Sequence, residues 1–188
     1  MQKALPQQCN VCYIMEEEVI KLITILKRLF NKERSGNMVI SVFSVAKYVA
    51  EKCAPITTMK LQKLVYYCQA WSLAWDEKPL FDEDFEAWAN GPVCSTLFKE
   101  HKGKFIIDKD FLEDRNVSMD FTPEQIETMD SVLKTYGDKE PFWLSELTHK
   151  ERPWKEARGE TEPGEPCANV ISKESMQEYY GGLIGSEK

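Results

Sequence analysis

Two short stretches constrain the fold of this chain more than any other feature. Residues 57–71 read TTMKLQKLVYYCQAW, and residues 85–94 read FEAWANGPVC. Apolar residues recur at three- and four-residue spacing from the first stretch onward, which predicts an amphipathic helix. The apolar set is Leu61, Leu64, Val65, Cys68, Trp71 and Trp75, and the polar set expected on other faces is Lys60, Gln62, Lys63 and Gln69.

The second stretch predicts a short strand over Phe85 to Trp88, closed by a turn at Asn90-Gly91-Pro92. Glycine tolerates positive φ in such a turn, and proline fixes the φ angle that follows it. Neither stretch contains a catalytic constellation. Together they specify a shape, which favours a function based on recognition of a partner.

The remaining patterns predict a mainly α fold: a compact helical domain with one small β-hairpin-like element, plus an N-terminal extension helix. Residues 104–121 are ambiguous, and residues 159–169 are rich in Glu, Gly and Pro and predict a loop. Expected N-terminal caps are Ser41, Ser172 and the Thr122/Gln125 capping box, and Pro92 is expected as a first helical residue. Helices are predicted over 42–53, 58–75, 92–102, 123–136, 141–149 and 172–180, with Ile126, Met129, Val132, Leu133 and Tyr136 pointing inward in the 123–136 helix.

Residues 1–37 are predicted to form an N-terminal extension, and residues 38–188 the domain proper. The extension comprises a disordered tail and an amphipathic helix over 15–33, with acidic residues at the start of the helix and basic residues near its end. Its apolar face consists of Val19, Leu22, Ile23, Leu26 and Phe30. Either the domain or a second copy of the chain must cover that face, so a homo-oligomer formed through this helix is one alternative.

The sequence contains few candidates for catalytic or metal-binding residues, and we expect no catalytic residues, no metal site and no cofactor. Cys9-x-x-Cys12 has a metal-like spacing, but a structural zinc site needs four ligands and no second pair follows. Cys94 and His101 would lie two turns apart on one helix, about 10 Å along its axis, which is too far for a thiolate–imidazole hydrogen bond. His149 is expected to be structural or at the surface.

Composition narrows the partners and the compartment. The net charge of −7 disfavours nucleic acid and suits a basic protein partner. The helix pair 42–53 and 58–75 resembles a helix-turn-helix and carries four lysines against one glutamate, yet its second helix is rich in Leu, Tyr and Trp, which favours core packing over DNA reading. The longest apolar run, Val19 to Leu26, is interrupted by Lys21 and is too short to span a membrane. Six cysteines without a signal peptide indicate reduced thiols in the cytoplasm.

Three ordered motifs carry a resemblance to a known family. They include Thr57, Lys60, Leu61, Lys63, Leu64, Tyr66 and Tyr67; then Glu86, Ala87, Trp88, Gly91, Pro92 and Val93; then Leu147, Thr148, His149, Glu151, Pro153 and Trp154. In this order the motifs resemble the SocA-like antitoxin family, also called the Panacea domain and first catalogued as a phage-associated genetic-element protein. The resemblance covers residues 41–181.

The resemblance implies a cytoplasmic antitoxin of a toxin–antitoxin system that neutralises a co-encoded toxin by direct binding. In one branch of the family it implies an adaptor that hands the toxin to an ATP-dependent protease. The alternative is a DNA-binding transcriptional regulator of a mobile-element or prophage operon. Trp88, Asn90 and Trp154 are the candidate partner-binding residues, because tryptophans beside turns are common anchors in protein interfaces.

Overall fold

The structure is a computed structural model that describes residues 40–185. Its helices are α1 (Val42–Cys53), α2 (Thr58–Trp75), α3 (Ser95–His101), α4 (Pro123–Tyr136), α5 (Pro141–Lys150), α6 (Arg152–Arg158) and α7 (Lys173–Gly185). Its strands are β1 (Ile56–Thr57), β2 (Phe85–Trp88), β3 (Gly91–Val93), β4 (Ile106–Ile107) and β5 (Val170–Ile171). The mainly α prediction is confirmed. The predicted extension over 1–37, with its helix and its Cys9/Cys12 pair, lies outside the described residues.

Helix α2 forms the centre of the domain, with α1, α4, α5 and α7 packed around it. It begins at its N-cap Thr57, whose hydroxyl oxygen accepts a hydrogen bond from the Lys60 backbone N–H at 3.2 Å. Fourteen of its 18 residues are buried, so the helix is covered on nearly all sides. The prediction that polar residues of α2 face away from the core is therefore wrong for Gln62, Lys63 and Gln69, which are all buried.

Buried polar side chains on α2 are accommodated because they replace missing backbone partners. Gln69 shows the principle most completely: its Oε1 accepts from the N–H groups of Leu80 at 2.7 Å and Phe81 at 3.2 Å. Its Nε2 donates to the Phe81 carbonyl at 2.8 Å. An irregular segment can be buried only when its backbone groups are paired, and Gln69 supplies those pairs.

The predicted hairpin is present and belongs to a three-stranded antiparallel sheet. In this sheet β2 lies between β3 and β5, and Trp88 pairs with Gly91, so Ala89 and Asn90 form a two-residue loop. Pro92 lies in β3 opposite Ala87, which contradicts its predicted place at the start of a helix. An edge strand tolerates proline because the missing N–H can face away from the sheet. Strands β1 and β4 form a second sheet, in which β4 lies within the ambiguous region 104–121 and β1 directly precedes α2.

Local sequence signals, such as N-terminal caps, predicted most helix boundaries correctly. The Thr122/Gln125 capping box of α4 is formed in both directions, and Ser172 caps the start of α7 by accepting from the Ser175 N–H. Two further expectations are wrong. Ile126 is 38% exposed and does not point inward, and α7 continues through the two glycines at 181–182 to Gly185.

One hydrophobic core joins the described elements, from Ile40 beside α1 to Tyr180 on α7. Trp71 and Trp75 belong to this core, as predicted, and their rings stack with centroids 4.8 Å apart. Within residues 40–185, the search for a helix long and apolar enough to cross a membrane found none.

Candidate functional site

The three sequence motifs meet at one place, where α2, the β2–β3 hairpin and the α5–α6 corner come together. Each pair of motifs is joined by direct contacts of buried or half-buried groups. We call this place the motif junction, and define it by Lys63 and Tyr67 of α2, Trp88, Gly91 and Pro92 of the hairpin, and Thr148, Glu151 and Trp154 of the α5–α6 corner.

Lys63 joins the first motif to the second. Its side chain is 1% exposed, and its Nζ donates a hydrogen bond to the Pro92 carbonyl at 3.0 Å. Among the residues that the structure describes, no carboxylate lies within ion-pair distance of this ammonium. Burial without a counter-charge penalises the charged form and lowers the pKa of Lys63 to about 7.

Gly91 is required at the junction for two independent reasons. Its φ of +96° is a backbone conformation that side-chain-bearing residues rarely adopt. A Cβ atom at this position would also lie 2.6 Å from Thr148 Oγ1 and 2.7 Å from Lys63 Cε. The glycine therefore permits the close approach of all three motifs.

Glu151 joins the third motif to the first. Its carboxyl oxygens accept hydrogen bonds from the hydroxyl of Tyr180 at 2.7 Å and from that of Tyr67 at 3.3 Å. Burial raises the pKa of Glu151 to about 8, and the two tyrosine hydrogen bonds only partly oppose that shift. Burial therefore favours the protonated form of this carboxyl group in the folded protein.

Glu151→Gln is expected to flatten the pH dependence of stability. The folded-state pKa of about 8 lies above the ordinary value of 4.5, so the folded state binds the extra proton between these values. The stability that this group contributes is fully present below the ordinary pKa and is lost as the pH rises toward 8. Over that range the free energy of unfolding falls by on the order of 3 kcal/mol. Urea unfolding of the variant and wild type between about pH 5 and about pH 8 measures this difference. Exposed Glu127→Gln is the control, and a Glu151→Gln protein with the wild-type pH slope would contradict the prediction.

The predicted anchors Trp88 and Trp154 lie side by side and join the second motif to the third. The indole N–H of Trp154 donates to the Trp88 carbonyl at 3.0 Å, and the His149 ring stacks on Trp154 with centroids 4.3 Å apart. The Trp88 indole N–H donates to Glu86 Oε2 at 2.6 Å. Both tryptophans are half-buried, and Asn90 is exposed at the hairpin loop.

The other motif residues have structural positions. Thr57 caps α2 and Lys60 lies half-buried in its first turn. The buried members of the motifs are Leu61, Leu64, Tyr66, Ala87, Val93 and Pro153. His149 is half-buried, and burial of its ring lowers its pKa.

A cleft of about 710 Å³ opens beside the motif junction. Its walls come from the start of α2, the hairpin, α3 and the loop around 164–168, and they include Met59, Lys63, Trp88, Asn90, Phe98 and His101. Trp88 and Phe98 form one wall, with their rings edge to face and centroids 4.9 Å apart. This cleft brings two of the three predicted partner-binding residues, Trp88 and Asn90, to one surface.

Three exposed apolar residues lie on the segments that meet at the start of α2, which forms part of the cleft wall. Met59, which lines it, is 36% exposed, while Phe105 and Ile106 are 75% and 43% exposed. The Thr58 N–H donates to the Phe105 carbonyl at 3.0 Å, so this segment is attached to the start of α2. We call Met59, Phe105 and Ile106 the apolar rim. Contiguous exposed apolar patches are typical of protein-binding surfaces.

The predicted separation of Cys94 and His101 agrees with their positions at opposite ends of α3, where Cys94 is the N-cap and His101 the last residue. Gln62 bonds both: its Oε1 accepts from the Cys94 N–H at 2.9 Å, and its Nε2 lies 2.9 Å from His101 Nε2. The Cys94 thiol is buried, and burial raises its pKa. This environment disfavours a reactive thiolate.

A helix-turn-helix reader presents its second helix to a DNA groove, whereas α2 is covered on nearly all sides by the rest of the described domain. Its buried positions show that α2 is a core helix, as predicted. In the part of the chain that the structure describes, three or more His, Cys, Asp or Glu side chains never gather closely enough to hold a metal ion.

Arg158 is a site residue that the sequence reading missed. Its buried guanidinium donates to the carbonyls of Ala87 at 3.0 Å, Glu162 at 2.8 Å and Glu165 at 3.0 Å. It thereby connects the hairpin to the loop that closes one side of the cleft. Its partners are backbone carbonyls, which have no sequence signature.

Fold and site define a class: a mainly helical domain with a small hairpin, built around a buried polar junction beside an open cleft. The model of the family described as antitoxin SocA-like, Panacea domain, matches residues 61–155, and the chain belongs to this family. The match includes every motif residue named above except Thr57 and Lys60. This match is shorter than the resemblance, which covers residues 41–181. Helices α1 and α7 lie outside the match but contribute residues to the same hydrophobic core. No curated protein and no solved structure matches the chain.

Proposed function

We propose that this protein is the antitoxin of a toxin–antitoxin pair and neutralises a co-encoded protein toxin in the cytoplasm by direct binding. Membership in the antitoxin SocA-like family supports the class of function. The assignment of the binding surface is supported by one observation: the three family motifs converge beside an open cleft with an apolar rim.

The surface suits a protein partner better than a small substrate. Trp88 and Asn90 lie in a cleft that is continuous with exposed Met59, and Phe105 and Ile106 extend the apolar area outside it. Protein interfaces bury aromatic anchors in pockets and surround them with less critical contacts. If a segment of the toxin enters the cleft, the toxin surface beside that segment would pack against the apolar rim.

Neutralisation by this route is stoichiometric occlusion and needs no turnover. The environment of the Cys94 thiol supports this view, because a thiol with a raised pKa is a poor nucleophile. Protection should therefore saturate near one antitoxin per toxin.

Cys94→Ser is expected to be nearly silent in protection. The test co-expresses the protein with the product of an adjacent small reading frame and then titrates purified antitoxin into toxin while toxin activity is measured. Saturation near an equimolar ratio, for both wild type and Cys94→Ser, is the expected result. Protection at clearly substoichiometric amounts, or its loss in a folded Cys94→Ser protein, would contradict occlusion and favour a cysteine enzyme.

Delivery to an ATP-dependent protease is a separate step that the family resemblance suggests. It predicts that the toxin's half-life in cells shortens when the antitoxin is present. An unchanged half-life together with full protection would leave occlusion as the whole mechanism.

A further inference from the structure

We propose that the cleft recognises an acidic segment of the toxin, in which an Asp or Glu side chain adjoins a large apolar side chain. The carboxylate would pair with the Lys63 ammonium, and the apolar side chain would pack against Trp88 and Phe98. This inference rests on the proposed function and adds to it the chemistry of the recognised segment.

The first support is an uncompensated buried cation on the cleft wall. Lys63 lines the cleft, is 1% exposed, and has one hydrogen-bond acceptor, the Pro92 carbonyl. An ammonium has three donors, so two remain for other groups. A buried charge is unfavourable without a partner of opposite sign, and a ligand carboxylate would supply that partner.

The second support is the apolar character of the surroundings. Met59, Val93 and the Trp88/Phe98 pair line the same cleft as Lys63. Sites that bind a specific group commonly combine apolar walls with a few placed polar atoms. An acidic residue next to an aromatic or large aliphatic residue matches both features.

The charges around the cleft permit an acidic occupant. Glu86 is the acidic residue in the described lining, and its Oε2 already accepts the Trp88 indole N–H. The exposed lysines Lys102 and Lys104 follow His101, which lines the cleft. Exposed Glu165 lies between the lining residues Gly164 and Pro166, so the preference for an acidic occupant rests on Lys63.

The titratable groups that line the cleft with Lys63 are Glu86 on β2, His101 on α3 and Cys167 on the loop, and His149 on α5 interacts with Lys63 electrostatically. Burial lowers the pKa of both histidines, so they change charge mainly below neutral pH. A carboxylate bound to Lys63 favours its protonated form. Binding should therefore weaken as the pH rises through 7, by about tenfold between pH 6.5 and pH 8.

The first experiment uses two probes, an acetylated and amidated Glu-Trp dipeptide and its Gln-Trp counterpart, titrated into the full chain and followed by NMR. The wild type is expected to bind Glu-Trp about tenfold more tightly than Gln-Trp near pH 6.5, consistent with a charge-assisted hydrogen bond. Lys63→Met should abolish that preference. Lys60→Met, one turn earlier on α2 and outside the described lining, should keep it.

Equal binding of both dipeptides by the wild type, or binding of neither, overturns the proposal without any variant. A preference for Glu-Trp that does not fall with rising pH also overturns it, so the test stands even if Lys63→Met fails to fold. If Gln substitutions at Glu16, Glu17 and Glu18 tighten Glu-Trp binding, the N-terminal segment of the chain itself competes for the cleft. That outcome overturns the assignment of the cleft to a toxin segment.

The second experiment separates this inference from the proposed function. Affinity for the co-encoded toxin should fall at least about tenfold in folded Lys63→Met, and the wild-type loss of affinity with rising pH should disappear. Unchanged toxin affinity in that variant overturns the acidic-segment proposal and leaves the antitoxin function intact. A wild-type protein that neither binds the toxin nor protects cells contradicts the proposed function itself.

Discussion

Leu64→Ala is expected to lower the free energy of unfolding by about 2 to 5 kcal/mol. Leu64 has no solvent exposure and lies midway along α2, the helix around which the other elements pack. Truncation removes buried methyl groups and leaves a cavity that close-packed neighbours fill only in part. Urea or thermal unfolding monitored by circular dichroism measures the loss.

Ile126→Ala is the matched control, because it also truncates a branched aliphatic side chain on a helix. Ile126 is 38% exposed on α4, so its loss should change stability by no more than about 1 kcal/mol. A Leu64→Ala protein as stable as the wild type would show that the position of α2 in the core is wrong. Equal losses in the two variants would contradict the burial assigned to Ile126.

The helices could be predicted where a local signal determines each end. Ser41 accepts from the Ser44 N–H at the start of α1, and the Thr122/Gln125 box begins α4, as their sequences indicate. Such caps act over three or four residues, so a single sequence contains the whole signal. The boundaries of α1, α2 and α4 agree with the prediction for that reason.

The burial of α2 could not be predicted from its pattern. Its apolar spacing indicates one inward face, yet Gln62, Lys63 and Gln69 are buried on others. Each pairs with the backbone of a distant segment: Gln62 with Cys94, Lys63 with Pro92, and Gln69 with Leu80 and Phe81. Periodicity cannot reveal such partners, because they depend on where the chain returns after the helix ends.

Pro92 illustrates the same limit at shorter range. A proline before a helical stretch commonly occupies the first helical position, and an edge strand accepts it equally well. Pairing of Ala87 with Pro92 decides between these alternatives, and it depends on the two-residue loop at Ala89 and Asn90. The motifs identified the segments of the candidate site, whereas its cleft and the connections made by Arg158 required the tertiary structure.

Trp88→Ala is expected to weaken toxin binding by about 2 kcal/mol, or about 30-fold in affinity. Trp88 forms one wall of the cleft and contacts Phe98 edge to face, so its removal takes away both an anchor and the shape of the pocket. Tryptophans in pockets are frequent hot spots in protein interfaces because they bury a large apolar area with little loss of side-chain entropy.

Loss of packing and loss of contact have different signatures for this residue. Trp88 is half-buried, so its truncation also lowers stability, and a melt reports that loss separately. Toxin affinity measured at a temperature where the variant is fully folded reports the contact. Trp143→Ala removes another tryptophan, 42% exposed on α5 and outside the described cleft lining, and should leave affinity unchanged. If folded Trp88→Ala binds the toxin as tightly as Trp143→Ala does, the toxin uses another surface of the domain, since its binding would then be independent of the cleft wall.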